Sequence, residues 1–179
     1  MTELQRYANR THFCGELRVK NTDQTVELAG WVHSRRDHGG LLFIDLRDRT
    51  GLVQVVFDPN ENKEAFEAAE AVRPEFVLRV GGHVRARPEG TVNEAIGTGE
   101  IEVAVTSIVV LNSAETPPFE IDDDLRVDDG LRLQYRYLDL RRSPMLGNLR
   151  MRHTVARAAR EFLDRSGFTE VETPVLTKS

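Results

Sequence analysis

A single cysteine, Cys14, in 179 residues excludes an internal disulfide and fits a reducing compartment. No run of about 18 apolar residues occurs, so no membrane-spanning segment and no membrane partner are expected. The opening residues show no basic, apolar leader, which completes the expectation of a cytoplasmic protein. Strong positive charge is missing too: 24 Lys and Arg against 29 Asp and Glu leave a net charge of −5. Proteins that coat DNA carry a basic excess, so that class and DNA as a partner are set aside, while recognition through a local patch is not. What is present is 40% hydrophobic content, ample for a core, and a length suited to one large or two small domains.

Residues 24–113 read as strand, strand, strand, helix, strand, strand. Val26, Leu28 and Val32 alternate with Glu27, Ala29 and Trp31 on a first strand that ends at Asp37-His38-Gly39-Gly40. A second strand over 41–47 joins a third over 52–58 through Asp48-Arg49-Thr50-Gly51. Helical spacing over 60–72 places Ala65, Phe66, Ala69 and Val72 on one side until Arg73-Pro74 stops it. Phe76, Leu78 and Val80 begin a fourth strand, which Gly81-Gly82 should bend or bulge. Beyond the bend, Val84 and Ala86 are expected to point inward and Arg85 and Arg87 outward. After a loop over 88–99, Ile101, Val103 and Val105 alternate with Glu100, Glu102 and Ala104. Five strands with a helix between the third and fourth is the order of an all-β, five-stranded OB-fold barrel, whose exposed face and loops bind single-stranded nucleic acid or sugars.

The segment GWVHSRRDHGGLLFIDLRDRTGLVQVVFDP at 30–59 carries the chemistry. If Ile44 and Leu46 enter the core, Leu41, Phe43, Asp45 and Arg47 face out, as does Gln54 on the next strand. An aromatic ring, an amide and arginines on one sheet face suit the stacking and hydrogen bonding of bases. From these residues alone an ordinary amphipathic hairpin remains equally open.

Composition changes after residue 113. Thr116-Pro117-Pro118 and the acidic stretch 122–129 read as a linker over 114–142, or as an irregular segment lying across a neighbouring domain. A helix is then announced by Ser143 as N-cap and Pro144 in its first turn. Met151, Val155, Ala158, Ala159, Phe162 and Leu163 form its apolar stripe, and Gly167 marks its end. A further strand is expected over 169–176, as the truncated start of a second, α+β domain over 143–179.

Together with GEIEV at 99–103, RYLDLRR at 136–142 and GFTEVETPVLTKS at 167–179, the 30–59 segment makes the chain resemble the N-terminal part of a bacterial-type aspartyl-tRNA synthetase. The resemblance covers nearly the whole sequence. It implies an anticodon-binding OB-fold domain over 1–113 and the opening of class II motif 1, with Phe168 and Pro174 at a homodimer interface. For the full-length enzyme it implies activation of aspartate with ATP and Mg²⁺ and esterification to tRNA. No catalytic residue, bound cofactor or metal is expected in this stretch, and no aspartate-dependent pyrophosphate exchange from it alone.

The resemblance further implies that Phe43 stacks on an anticodon base, that Gln54 hydrogen-bonds one, and that Glu102 accepts from the guanine-like first base. Arg36, Arg85 and Arg87 are expected to contact bases or phosphates. His38 and Gly90 match members that charge both tRNA(Asp) and tRNA(Asn); otherwise they are simply turn residues. A synthetase restricted to tRNA(Asp), an asparaginyl or lysyl relative, and a non-enzymatic OB-fold single-strand binder are the competing expectations.

Overall fold

The computed structural model describes residues 10–176, and its chain contacts divide into a unit ending at Pro117 and another beginning at Pro118. Residues 1–9 of the expected N-terminal extension and Thr177, Lys178 and Ser179 of the motif 1 segment lie outside the described residues. The first unit contains β1 (Thr25–His38), β2 (Leu41–Asp48), β3 (Gly51–Phe57), α1 (Lys63–Glu70), β4 (Val77–Ala86) and β5 (Ile101–Asn112). These five strands close into a barrel in the order β1-β2-β3-β5-β4, with β4 pairing back onto β1. Closure leaves no long edge free to pair with another chain. Every seam is antiparallel except β3–β5, which is parallel and holds the pairs Val55↔Val103 and Val56↔Ala104. This is the OB-fold expected from the strand order.

Period-two alternation sets the core. Val26, Leu28, Val32, Leu42, Ile44, Leu46, Val53, Val55, Phe57, Leu78, Val80, Val84, Ile101, Val103 and Val105 are each at most 2% exposed. Burying one such side chain stabilises by about 1.5–3 kcal/mol, so a one-residue slip in any strand would forfeit several contributions at once. Cys14 and Leu17 join the same core from the short turns before β1. Burial, reinforced by Asp48, pushes the Cys14 thiol well above the thiol range and keeps it protonated.

Local chemistry fixes the connections. Gly39 and Gly40 both take positive φ (63° and 79°), giving a two-residue hairpin turn, so β1 continues through Asp37 and His38 where the sequence suggested a four-residue turn. Helix α1 is shorter than the 60–72 pattern because Asn62 caps it. The Asn62 side chain accepts from the Ala65 N–H at 2.9 Å and donates to the Thr106 carbonyl at 2.7 Å. The bulge expected at Gly81-Gly82 is present as a register shift against β5. A Cβ on Gly82 would lie 2.3 Å from the Ala104 carbonyl oxygen, so the close backbone approach there requires glycine. Ala86, expected inside, is exposed, because it pairs with Ile101 at the last rung of the sheet, where the barrel wall ends.

In the second unit, the stretch expected to act as a linker contains α2 (Asp129–Gln134) and α3 (Arg136–Asp139), ahead of α4 (Ser143–Arg165). Phe119, Ile121 and Leu138 are buried together, with Val127, Leu131 and Tyr135 against them. Asp139 is fully buried and accepts hydrogen bonds from Arg132 Nε (2.9 Å) and Arg136 Nη1 (2.7 Å), with Arg142 Nη1 at 3.7 Å. The Arg132 hydrogen bond outweighs the effect of burial and holds the Asp139 carboxyl below the usual carboxylate range. Arg142 donates to the carbonyls of Asp122, Asp123 and Leu125 at 2.9, 3.1 and 2.8 Å, tying down the acidic stretch. RYLDLRR is therefore a carboxylate–guanidinium knot.

Helix α4 has Arg142 at its N-cap position, and the Asp123 carboxylate accepts the Ser143 N–H at 2.8 Å, so Ser143 is the first helical residue and not the cap. Its end is as expected. Gly167 adopts φ 82°, the Phe168 N–H donates to the Leu163 carbonyl at 3.1 Å and the Gly167 N–H to Asp164 at 3.0 Å, a Schellman arrangement. The strand expected over 169–176 does not form. A strand needs a paired neighbour to satisfy its backbone, and no other strand occurs among the described residues of this unit.

Candidate nucleic-acid interface

Outer-face positions of all five strands carry one hydrogen-bonded row of polar side chains. On β1, Ser34 Oγ donates to Asp45 Oδ2 at 2.6 Å, and Arg36 Nη2 lies 3.1 Å from Asp45 Oδ1 and 3.0 Å from Oδ2. The same Arg36 nitrogen donates to Gln54 Oε1 on β3 at 3.3 Å. Across the parallel seam, Gln54 Nε2 donates to Glu102 Oε2 on β5 at 2.9 Å. Arg85 Nε on β4 donates to Glu102 Oε1 at 2.8 Å, and Arg85 Nη1 donates to Glu61 at 3.1 Å. Register explains the row, since Asp45 is directly opposite Gln54 and Arg85 directly opposite Glu102.

Gln54 and Glu102 keep the outward parity expected of them, yet they are buried, at 7% and 4% exposure. Arg36 and Arg85 flank them and remain open to solvent, with side chains 53% and 38% exposed. The two buried groups satisfy one another, and the long cations partly cover them. A base reaching them therefore exchanges hydrogen bonds more than it adds them, which favours ligands of matching edge over ligands that are merely charged. Burial alone would lower the Arg85 pKa, but hydrogen bonds and charge from Glu102 and Glu61 outweigh it and raise it.

Phe43 is half-buried on the same face, opposite Arg36 on one side and Val56 on the other. Arg87 donates through Nε to the Ile101 carbonyl at 3.0 Å and through Nη1 to the Thr91 carbonyl at 3.4 Å, while its buried Nη2 has no hydrogen-bond partner among the described residues. Desolvation lowers its pKa, partly offset by Glu102 and Asp45, which places its charge within electrostatic reach of the row. His38 and Gly90 are exposed at separate loop tips, with Gly90 at φ 81° and open space around it. Among the described residues, the side-chain hydrogen bonds of the row do not include His38. Phe168 and Pro174 are exposed in the second unit.

The structure thus brings together Arg36, Gln54, Glu102 and Arg85. It adds Asp45, Ser34 and Glu61, to which no role was given from the sequence. Outward parity offered a signal for Asp45. Glu61 lies in the loop before α1, although the helical pattern read over 60–72 included it.

Residues 26–111 match the OB-fold nucleic acid binding domain family, and residues 128–179 match the class II tRNA synthetases (D, K and N). Over 170 residues, 95% of this chain, the sequence is 61% identical to a Heliobacterium modesticaldum protein named aspartate--tRNA(Asp/Asn) ligase, of which it covers 28%. The chain belongs to the aspartyl-tRNA synthetase family. A second member bearing the same name, from Halothermothrix orenii, is 52% identical over the whole chain, which covers 30% of that protein. The asparaginyl-tRNA synthetase of Pyrococcus horikoshii, solved with asparaginyl-adenylate, superposes with a TM-score of 0.77 at 30% identity over 93% of this chain and 37% of its own. The asparaginyl relative thus shares the fold at lower identity than these two bacterial aspartate--tRNA(Asp/Asn) ligases. The chain spans less than a third of the length of the curated relatives it matches, 28% and 30%. Within the aspartyl-tRNA synthetase family, the polar row lies on an OB domain of the anticodon-binding type.

Proposed function

We propose that the outer barrel face binds the anticodon loop of tRNA(Asp) and of tRNA(Asn). The observation that carries this is the buried Gln54–Glu102 pair, set between solvent-facing arginines on an OB-fold barrel. Phe43 supplies the stacking surface, and Gln54 hydrogen-bonds a base. Glu102 accepts the two Watson–Crick-edge protons of the guanine-like first base once Arg85 moves toward Glu61. Arg36, Arg85 and Arg87 contact bases or phosphates, Nη2 of Arg87 being a donor without an acceptor among the described residues. His38 donates or accepts from one nitrogen according to tautomer, and Gly90 leaves space, so cytosine and uracil are both tolerated at the third base.

In the whole protein, this reading includes activation of aspartate with ATP and Mg²⁺, transfer to either tRNA, a cytoplasmic location, and a homodimer to which Phe168 and Pro174 contribute. The proposed division is anticodon binding by 1–113, a connection over 114–142 and the start of the catalytic domain from 143. Among the described residues no group of three or more His, Cys, Asp or Glu could hold a metal ion, and no step through ATP or Mg²⁺ is assigned to them. No described helix is long and apolar enough to cross a membrane. The test is to offer unfractionated tRNA to the full-length protein and identify what it aspartylates. Both tRNA(Asp) and tRNA(Asn) should be charged; charging of neither overturns the proposal, and charging of tRNA(Asp) alone overturns the dual substrate.

A further inference from the structure

We infer that Asp45 is a positioning residue that fixes the Arg36 guanidinium and, through it, the orientation of the Gln54 amide, so that the face presents one order of donor and acceptor to a base. The inference rests on the reading of this face as a base-binding surface. Its physical basis lies in the free protein.

The two ends of a glutamine amide have the same shape, and which is oxygen is decided by their partners. At Gln54 one end meets Arg36 Nη2, a donor without acceptor capacity, and the other meets Glu102 Oε2, an acceptor without a proton. Turning the amide over would set its NH₂ against the guanidinium and its carbonyl against the carboxylate, replacing two hydrogen bonds with two repulsions. Gln54 is 7% exposed, so water does not compensate. One lone pair on Oε1 and one proton on Nε2 remain for a ligand, in a fixed order. Uracil and cytosine present their donor and acceptor in opposite orders, so a fixed amide discriminates between them and a freely turning amide does not.

The Glu102 end of this arrangement is held by a buried carboxylate. The Arg36 end is held by a side chain 53% exposed, which has many rotamers open to it. Asp45 removes that freedom. Its side chain is 15% exposed, it takes Arg36 Nη2 at 3.1 Å and 3.0 Å through its two oxygens, and its own rotamer is set by the Ser34 hydroxyl at 2.6 Å. Without the carboxylate, Arg36 keeps, among the described residues, the 3.3 Å bond to Gln54, the longest in the row.

The 179-residue chain, its Asp45→Asn form and its Ser34→Ala form are compared in two measurements. Proton exchange of the Gln54 side-chain amide, followed by NMR in the absence of RNA, reports whether the amide is held. Binding of anticodon stem-loops carrying single uracil-to-cytosine swaps reports discrimination. Asp45→Asn is expected to speed the exchange and to lower the matched-over-swapped affinity ratio at one anticodon position by about tenfold, with Ser34→Ala intermediate. An Asp45→Asn protein that binds all loops more weakly by one common factor, with unchanged amide exchange, overturns the inference. If the unsubstituted chain binds no stem-loop, the reading of the face fails, and the exchange measurement decides the positioning role by itself. If Asp45→Asn does not fold, Ser34→Ala decides both.

Discussion

Replacing Glu102 by glutamine removes a charge while preserving shape, and its cost can be worked out from the row of contacts. Glu102 offers two acceptor oxygens to two donors, Gln54 Nε2 at 2.9 Å and Arg85 Nε at 2.8 Å. An amide offers one. The surviving oxygen should stay with Gln54, which is buried, because Arg85 can fall back on Glu61 and solvent. A charged hydrogen bond to Gln54 then becomes a neutral one, a loss of about 1 kcal/mol. The Arg85 interaction disappears, but with the arginine side chain 38% exposed its contribution is discounted to about 1 kcal/mol. The sum, about 2 kcal/mol, should lower the melting temperature of a unit of this size by about 8 °C. Thermal unfolding followed by fluorescence of Trp31, the single tryptophan, measures it. A shift under about 2 °C would show that Glu102 is not the shared acceptor and refute the accounting.

Phe43→Ala should weaken anticodon stem-loop binding about tenfold or more while leaving the melting temperature close to that of the parent chain, as measured by fluorescence anisotropy alongside unfolding. In the full-length protein, His38→Leu combined with Gly90→Lys should shift charging toward tRNA(Asp), and an unmoved ratio in aminoacylation assays would return both positions to turn residues. Gly82→Ala should destabilise the barrel by about 1–3 kcal/mol in urea unfolding, since the added methyl meets the Ala104 carbonyl at the bulge. Because the folded Asp139 carboxyl lies below its unfolded value of about 3.9, its stabilisation is complete above that pH and is lost as pH falls through the folded value. Helical circular dichroism should record that acid loss in the parent chain and a smaller one in Asp139→Asn.

Period-two alternation told in advance which side of each barrel strand is buried, and glycine chemistry told where β4 would bulge. The parity of Phe43, Gln54 and Glu102 followed from the same pattern. Their burial did not, because alternation assigns a face and says nothing about what lies over it. Gln54 and Glu102 are flanked by arginines from β1 and β4, strands far apart in sequence whose side chains reach one row only because β3 pairs with β5. The helices within 114–142 were hidden for a related reason. Prolines and carboxylates there argue against compact structure, yet three guanidiniums from 132–142 gather around the single carboxylate of Asp139. Such pairing has no linear signature until the chain has folded. The strand expected over 169–176 shows the opposite limit: β-branched composition supplies propensity, whereas pairing supplies the strand.

The parallel seam of the barrel gives the Gln54–Glu102 contact a second meaning. Val55↔Val103 and Val56↔Ala104 are its register pairs, and the two polar residues come immediately before Val55 and Val103 on their strands. The side chains proposed to meet a base are therefore also a clasp on the shortest join of the barrel. Changing them to suit a different base would weaken that join, so new preferences can be installed with less damage at the hairpin tip, where His38 is exposed. The centre of the face is committed to keeping the barrel shut, and the rim is left free to diversify.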